Sequence, residues 1–272
     1  MAELDRRQLL AGVAAIGAAG LVGGKTAASP RPVFGVNQLL WSTVYAAIGG
    51  GIKGERCDYP PPAVPSAWFK TGSSVTTAVG SFRPNIEAVL AGKLDAQMRA
   101  FAAKIPKGCA ITVWHEGEEA GPHGAHVPAA TLRKLHAQCH SIFHAAGVKY
   151  VQIVGCYSQF TRGKTLSSYI SPVVDAVYLD GYQYHSGETL DHVFAAPAEA
   201  ITAACGKSMP RGITETNTHS VRGRPAWFSD VYAYAQANQH QVCFCWWGTG
   251  PHLSWLPNDS ATIATLKKIN DG

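Results

Sequence analysis

Charge is scarce in this chain, and the spacings that mark metal and phosphate chemistry are missing. Asp, Glu, Lys and Arg make up 15% of its 272 residues, against 46% apolar residues. A chain of that length and apolar content buries a large core and suits one α/β domain better than two small ones. The basic excess is small. The 23 Lys and Arg against 18 Asp and Glu give +5, and setting aside Glu3, Asp5, Arg6, Arg7 and Lys25 leaves 20 minus 16, or +4. No basic stripe with interleaved aromatics is present, which argues against nucleic acid and leaves a neutral or mildly acidic small ligand or polymer as partner. The seven cysteines (Cys57, Cys109, Cys139, Cys156, Cys205, Cys243, Cys245) lack the close paired spacing of a zinc site. Several lie in apolar runs, where a thiol behaves as a small hydrophobe. Their odd number leaves at least one unpaired in a monomer, and one or two disulfides stay open for an exported chain. No Gly-rich phosphate loop follows the first strand-like run, which weighs against an open doubly wound sheet.

What is present begins with an N-terminal segment outside the fold. Asp5-Arg6-Arg7-Gln8-Leu9-Leu10 precedes an Ala/Gly-rich apolar run to about Gly24, then Lys25 and the small residues Thr26-Ala27-Ala28. Residues 1–28 resemble a twin-arginine export signal, which implies a secreted or cell-envelope protein carried out already folded. An uncut membrane anchor is the alternative. No second apolar run is long enough to span a bilayer, so the body, residues 29–272, is expected to be soluble, without stable membrane insertion after signal cleavage, and monomeric.

From Ser29 onward, short β-rich runs alternate with helix-length amphipathic segments, the pattern of βα units around a parallel sheet. Val33–Asn37 reads as a first strand. Trp41–Phe69, broken by Gly49-Gly50-Gly51 and Pro60-Pro61-Pro62, leaves the second uncertain. Val75–Val79 is the third, followed from Pro84-Asn85 by one helical pattern carrying Ile86, Leu90, Leu94, Met98 and Phe101. Ile111–Glu116 is the fourth strand, and Pro128–Ala146 a helix whose Leu132, Leu135, Cys139, Ile142 and Phe143 face the sheet. Tyr150–Val154, Val173–Asp180, Met209–Glu215 and Val242–Trp247 complete the strands, with helices near Leu190–Cys205, Ala226–Asn238 and Asp259–Ile269. Seven clear strands and an uncertain one predict a single-domain (β/α)8 TIM barrel. In that fold, functional groups sit at the C-terminal strand ends. Here those ends carry His115-Glu116, Gln159, Asp180-Tyr182, Glu215 and Trp246-Trp247.

Two carboxylates at different strand ends can share one cleft, and glycoside hydrolysis needs such a pair, one protonating the leaving oxygen while the other attacks or activates water. Glu116 and Glu215 are the candidate pair. Burial beside Trp114 would keep the acid protonated, and hydrogen bonds would keep a nucleophile ionised. Glu118 and Glu119 compete for the acid role, but they lie in a Gly-flanked loop that should hold them less rigidly. Sugars stack their C–H faces on aromatic rings, so Trp41, Trp114, Trp246, Trp247 and Trp255 are candidate platforms.

Trp114-His115-Glu116 after the fourth strand and Thr214-Glu215 after the seventh resemble the clan A glycoside hydrolases, whose acid/base and nucleophile occupy those two strand ends. Most families of the clan have Asn before the acid/base, whereas family 26 has His, as this chain has His115. The resemblance runs from about Val33 to the C-terminus and includes Val79-Gly-Ser-Phe82, Asp180-Gly-Tyr182 and Cys245-Trp-Trp247. It is greatest to divergent family 26-like proteins of actinobacteria and their phages, although Gly-Glu-Glu-Ala after Glu116 departs from the longer family pattern. The resemblance implies Glu116 as general acid/base and Glu215 as nucleophile of a retaining glycosidase without cofactor. His115 would hold the acid/base and the sugar, and Tyr182 would orient Glu215. Trp246 or Trp247 would floor the subsite, and Asn37, Trp41 and Asp180 are expected to line the carbohydrate site.

A carbohydrate-binding barrel without catalysis is the second reading, and a metal-dependent hydrolase the third. His115, His123 and His126 share a loop with three glutamates, but His-Glu-x-x-His spacing is missing, and so is a His-x-His pair in the first strand. His136, His140 and His144, four residues apart on a helix, read as a solvated face. No catalytic metal is expected.

Overall fold

Eight parallel strands close on one another in chain order. The computed structural model describes residues 31–37, 41–48, 50–119, 127–156, 165–185, 187–220, 222–245 and 259–272, without the side chains of residues 41–43. The strands are β1 (Val33–Asn37), β2 (Gly54–Asp58), β3 (Thr77–Phe82), β4 (Ala110–Val113), β5 (Lys149–Gly155), β6 (Ala176–Gln183), β7 (Arg211–Thr218) and β8 (Val242–Cys245). Pairing of β8 with β1 seals the barrel. Around it lie α1 (Trp41–Ile48), α2 (Ile86–Leu90), α3 (Asp95–Ala102), α4 (Ala129–Ala145), α5 (Leu190–Cys205), α6 (Arg224–Ala237) and α7 (Ser260–Asp271). The chain is a single-domain (β/α)8 barrel, as its alternation predicts. No described helix is long and apolar enough to cross a membrane.

Period-2 alternation along each strand divides the apolar residues between two cores. Val36, Ile111, Val113 and Leu179 pack outward against Leu132, Phe143, Phe194 and Leu266 of the helices, and Cys139, Cys156, Cys243 and Cys245 join them as small apolar groups. All seven thiols are free. Val79, Ala110, Val151, Ile153, Tyr178 and Phe244 fill the barrel itself. Phe244 lies there because two neighbouring strands present no side chain to it. A Cβ on Gly35 or on Gly54 would come within 2.4 Å of its ring.

The local departures from expectation have identifiable causes. The second strand is Gly-Glu-Arg-Cys-Asp, too polar to read as buried, yet Glu55 and Arg56 are both buried. Glu55 accepts the Gly72 N–H, and burial raises its pKa to about 7. The single helix expected after Asn85 is two. Gly92 adopts φ +72°, while the Gly92 and Lys93 amides close back on Val89 and Ala88, a Schellman-type stop. Strands β6 and β7 begin and end about three residues later than expected, so Asp180 and Glu215 lie within strands rather than at their ends. His136 is not solvated. It shares the buried stripe of Leu132 and Cys139, and its Nδ1 meets the Tyr150 hydroxyl at 2.8 Å.

Gly35→Ala and Gly54→Ala each force Phe244 or a strand to shift, and each should cost about 1–3 kcal/mol of stability, read by denaturant unfolding. Unchanged stability in both would refute this account of the barrel centre.

Candidate active site

A buried arginine organises the C-terminal mouth of the barrel. Arg56 on β2 is fully enclosed, and its Nη1 lies 2.7 Å from Asp180 Oδ2 on β6 and 2.7 Å from Glu215 Oε1 on β7. Its Nη2 lies 3.4 Å from Asp58 Oδ1. Burial opposes the guanidinium charge, but Asp180, Asp58 and Glu215 outweigh it and hold the side chain protonated. Asp180 uses its remaining oxygen to accept the Thr214 hydroxyl at 2.6 Å. Both of its oxygens are therefore occupied, and in this structure it serves Arg56 and β7.

The register between β6 and β7 explains how Glu215 comes to this point. Leu179 pairs with Ile213, but Asp180 pairs with Glu215, so Thr214 is an extra residue on β7. Such a bulge re-aims the side chains that follow it. Glu215 Oε1 meets Arg56, and its Oε2 accepts the Tyr182 hydroxyl at 2.5 Å.

Glu116 arrives by a different route. Strand β4 ends at Val113, and the chain then turns through two left-handed non-glycine residues, Trp114 (φ 58°) and Glu116 (φ 54°). Backbone of this kind is costly for L-residues and concentrates at functional sites. The turn is pinned where Trp114 N–H donates to Phe82 O, Glu116 N–H to Ile153 O, and the Trp114 indole to Pro84 O. One oxygen from each of Glu116, Asp180 and Glu215 lies within 4.8 Å of the others. Glu116 Oε1 is buried with no hydrogen-bond partner among the described residues.

The two glutamates therefore differ electrostatically. Burial pushes both carboxyls well up. At Glu215 the Arg56 guanidinium is the largest opposing influence, whereas at Glu116 the charges of Asp180 and Glu119 add to burial and outrank the pull of Arg56. With one guanidinium facing three carboxyls, Glu116 is the group that keeps a proton. The same trio has the spacing of a cation site, but Arg56 already bridges two of its members.

Surrounding groups hold this arrangement. Arg83 Nη2 donates to His115 Nε2 at 2.9 Å, and because arginine cannot accept, the imidazole proton is on Nδ1, directed to Ser81 Oγ at 2.5 Å. Burial, then Arg56 and Arg83, keeps His115 neutral. With both ring nitrogens engaged, His115 fixes the turn instead of presenting a free donor. Glu118 and Glu119 are not loosely held, contrary to the expectation for a Gly-flanked loop. Both are buried, and Glu118 Oε1 accepts the Gly155 N–H at 2.5 Å. The folding back of the Trp114–Glu116 turn is the reason. Burial and the Glu118 charge raise Glu119 to about 8. Asn37, buried at the end of β1, pairs in register with Arg56. Trp246, Trp247, Trp255, Gln159, His123 and His126 lie outside the described residues, as does the Trp41 side chain.

The sequence reading missed Arg56 and the pair Ser81 and Arg83. The usable signal was charge within a βα unit, since a Glu-Arg pair between glycine and cysteine has no reason to be buried unless it meets opposite charge.

No protein-family model matches the chain, and no curated protein matches it in sequence. Its structural neighbours are clan A glycoside hydrolase barrels at low sequence identity. An oligosaccharide-binding protein of glycoside hydrolase family 128 from Cryptococcus neoformans aligns with TM-score 0.60 and 14% identity over 92% of this chain and 99% of its own. A family 26 β-mannanase from Bacteroides ovatus aligns with TM-score 0.59 and 14% identity over 88% of each chain. A family 26 endo-β-1,4-mannanase from Bacillus sp. JAMB-750 gives 0.57 and 14% over 90% and 87%. At these identities the likeness establishes the fold.

Arg56→Gln removes the cation paired with the buried Asp180 and Glu215, so it should cost about 3–5 kcal/mol, measured by denaturant unfolding. A loss below about 1 kcal/mol, the scale of a surface ion pair, would contradict the central role given to this residue.

Proposed function

We propose that the protein is a retaining glycoside hydrolase acting on an extracellular polysaccharide or oligosaccharide. Glu116 is its general acid/base and Glu215 its nucleophile. The observation that carries this reading is the close approach of two carboxyls, one half-buried on the turn that follows β4 and one buried within β7. Glu215 is paired with Arg56 and Tyr182, and the inner oxygen of Glu116 meets no donor among the described residues. Retaining enzymes hold their carboxyl groups about 5–5.5 Å apart, and inverting enzymes need roughly 6.5–9.5 Å to admit water. With one oxygen of each group within 4.8 Å of the other, the pair is close enough for direct attack by Glu215, and we read it as the retaining arrangement.

In the first step, Glu116 gives its proton to the glycosidic oxygen as a Glu215 oxygen bonds to the anomeric carbon and the C–O bond to the leaving group breaks. In the second, Glu116 takes a proton from water, the water oxygen bonds to the anomeric carbon, and Glu215 is released. Arg56 and Tyr182 lower the cost of an anionic Glu215 before attack and after release. Residues 1–28, read as a twin-arginine signal, support a secreted or cell-envelope location, with residues 29–272 as a monomeric catalytic body and carbohydrate as its partner. The oligosaccharide-binding neighbour favours one second reading, a barrel that binds glycans without cleaving them.

Glu116→Ala should lower kcat/KM on natural glycans by about 10²–10⁴-fold while sparing kcat/KM on activated aryl glycosides, whose leaving groups need no proton, although kcat on the aryl glycosides should fall because the second step loses its base. Glu215→Ala should abolish turnover on both and regain activity with azide. Glycan binding without hydrolysis by the wild-type chain across a polysaccharide panel would install the binding-barrel reading instead.

The pH dependence has a definite sign. The acid works protonated, so kcat/KM falls as pH rises through the elevated pKa of Glu116, and that alkaline limb should lie above the ordinary carboxylate range. A limb that stays unchanged in Glu116→Ala assayed on aryl glycosides would assign it to another group.

A further inference from the structure

At the opposite end of the barrel, the last turns of α4 meet the connection into β6. His140 and His144 lie side by side there, with ring centroids 4.7 Å apart and planes inclined by 26°. Both address one atom, since His140 Nε2 is 3.4 Å and His144 Nδ1 3.1 Å from Asp175 Oδ1. The other oxygen of Asp175 accepts the Tyr150 backbone N–H at 2.8 Å, which fixes the carboxylate plane. The Tyr150 ring also stands edge-on to His140 at 6.3 Å. Solvent reaches the cluster chiefly along His144, whose side chain is 63% exposed.

We infer that His140, His144 and Asp175 form a binding site for a divalent transition-metal ion of the zinc class, separate from the catalytic mouth. All three donor atoms lie within 4.8 Å of one another. Ligands about 2.0–2.1 Å from a tetrahedral zinc lie roughly 3.3–3.4 Å from each other, and the two His–Asp separations fall at or just below that edge length. Two imidazoles and a carboxylate are the donors this class of ion prefers over magnesium or calcium. The anchored second oxygen of Asp175 supplies the outer hydrogen bond that orients a ligand, and the carbonyl end of α4 favours positive charge. Lys149, whose charge Asp175 also favours, directs its ammonium to the Tyr178 hydroxyl at 2.9 Å. Without an ion, His140 forms an ordinary hydrogen bond to Asp175, and His144 stands at ion-pair distance from the same oxygen.

The position indicates what the ion does. Asp175 immediately precedes β6, so the site lies at the N-terminal rim, where barrel residues serve stability and the chemistry is remote. A bound ion ties α4 to the β5–β6 connection and stabilises the folded chain by mass action.

The test is calorimetric titration of the chelator-treated full chain with zinc chloride, alongside its thermal midpoint, and with cobalt(II) as a spectroscopic probe. One equivalent of zinc should bind, the midpoint should rise with zinc concentration, and cobalt should give the visible bands of a low-symmetry nitrogen/oxygen site. His144→Ala, on an exposed side chain, and Asp175→Asn should each weaken binding by about tenfold or more and remove the cobalt bands. His192→Ala should leave both unchanged. No zinc binding by the wild-type chain, or equal affinity in His144→Ala and Asp175→Asn, would overturn the proposal.

Discussion

One guanidinium placed among carboxyls is the interaction on which the mouth of this barrel depends. Arg56 contacts Asp180 and Glu215 at 2.7 Å each and approaches Asp58, while Glu116 completes the acidic group. A buried arginine is tolerable only against opposite charge, and three crowded carboxyls are tolerable only with a cation or a proton among them. Each requirement satisfies the other. The remaining imbalance falls on Glu116, where no donor reaches Oε1 among the described residues. A proton-holding acid facing a charge-paired carboxylate follows from that imbalance.

The supports around this centre come from backbone geometry and from side chains outside the direct contacts of Arg56. The bulge at Thr214 turns Glu215 toward Arg56, and the left-handed pair Trp114 and Glu116 folds the β4 loop back over the rim. His115, held between Ser81 and Arg83, locks that turn from the β3 side. Below them, Phe244 occupies the space that Gly35 and Gly54 leave open, which makes the floor of the mouth rigid. Rigid elements with a locked supporting layer are what two-carboxylate chemistry requires.

Much of this was legible in the residue order, and the exceptions share a cause. Hydrophobic periodicity located β1, β4, β5, β8 and the helices α4 and α5, because those segments bury one face and show it. It failed at β2, where Glu55 and Arg56 are stabilised by partners more than a dozen residues away that no local window contains. It failed at His136 because a buried imidazole bonded to a tyrosine on the next strand looks, in sequence, like a polar face. Glu116 and Glu215 stood out by position at the ends of apolar runs. The arginine between them did not, since its meaning exists only after the barrel closes. Asp180 and Tyr182 were visible as strand-end polar groups, but their division of labour, one holding Arg56 and the other Glu215, needed the register of β6 against β7.

The most direct test of the account is to trap the covalent intermediate. The chain would be incubated with a panel of 2-deoxy-2-fluoroglycosyl fluorides, its intact mass measured, and any adduct mapped by peptide sequencing. The account predicts one glycosyl group per chain, carried as an ester on Glu215. An adduct on Glu116, Glu119 or Asp180, or glycan turnover by a chain that no fluoroglycoside of the matching sugar labels, would contradict it.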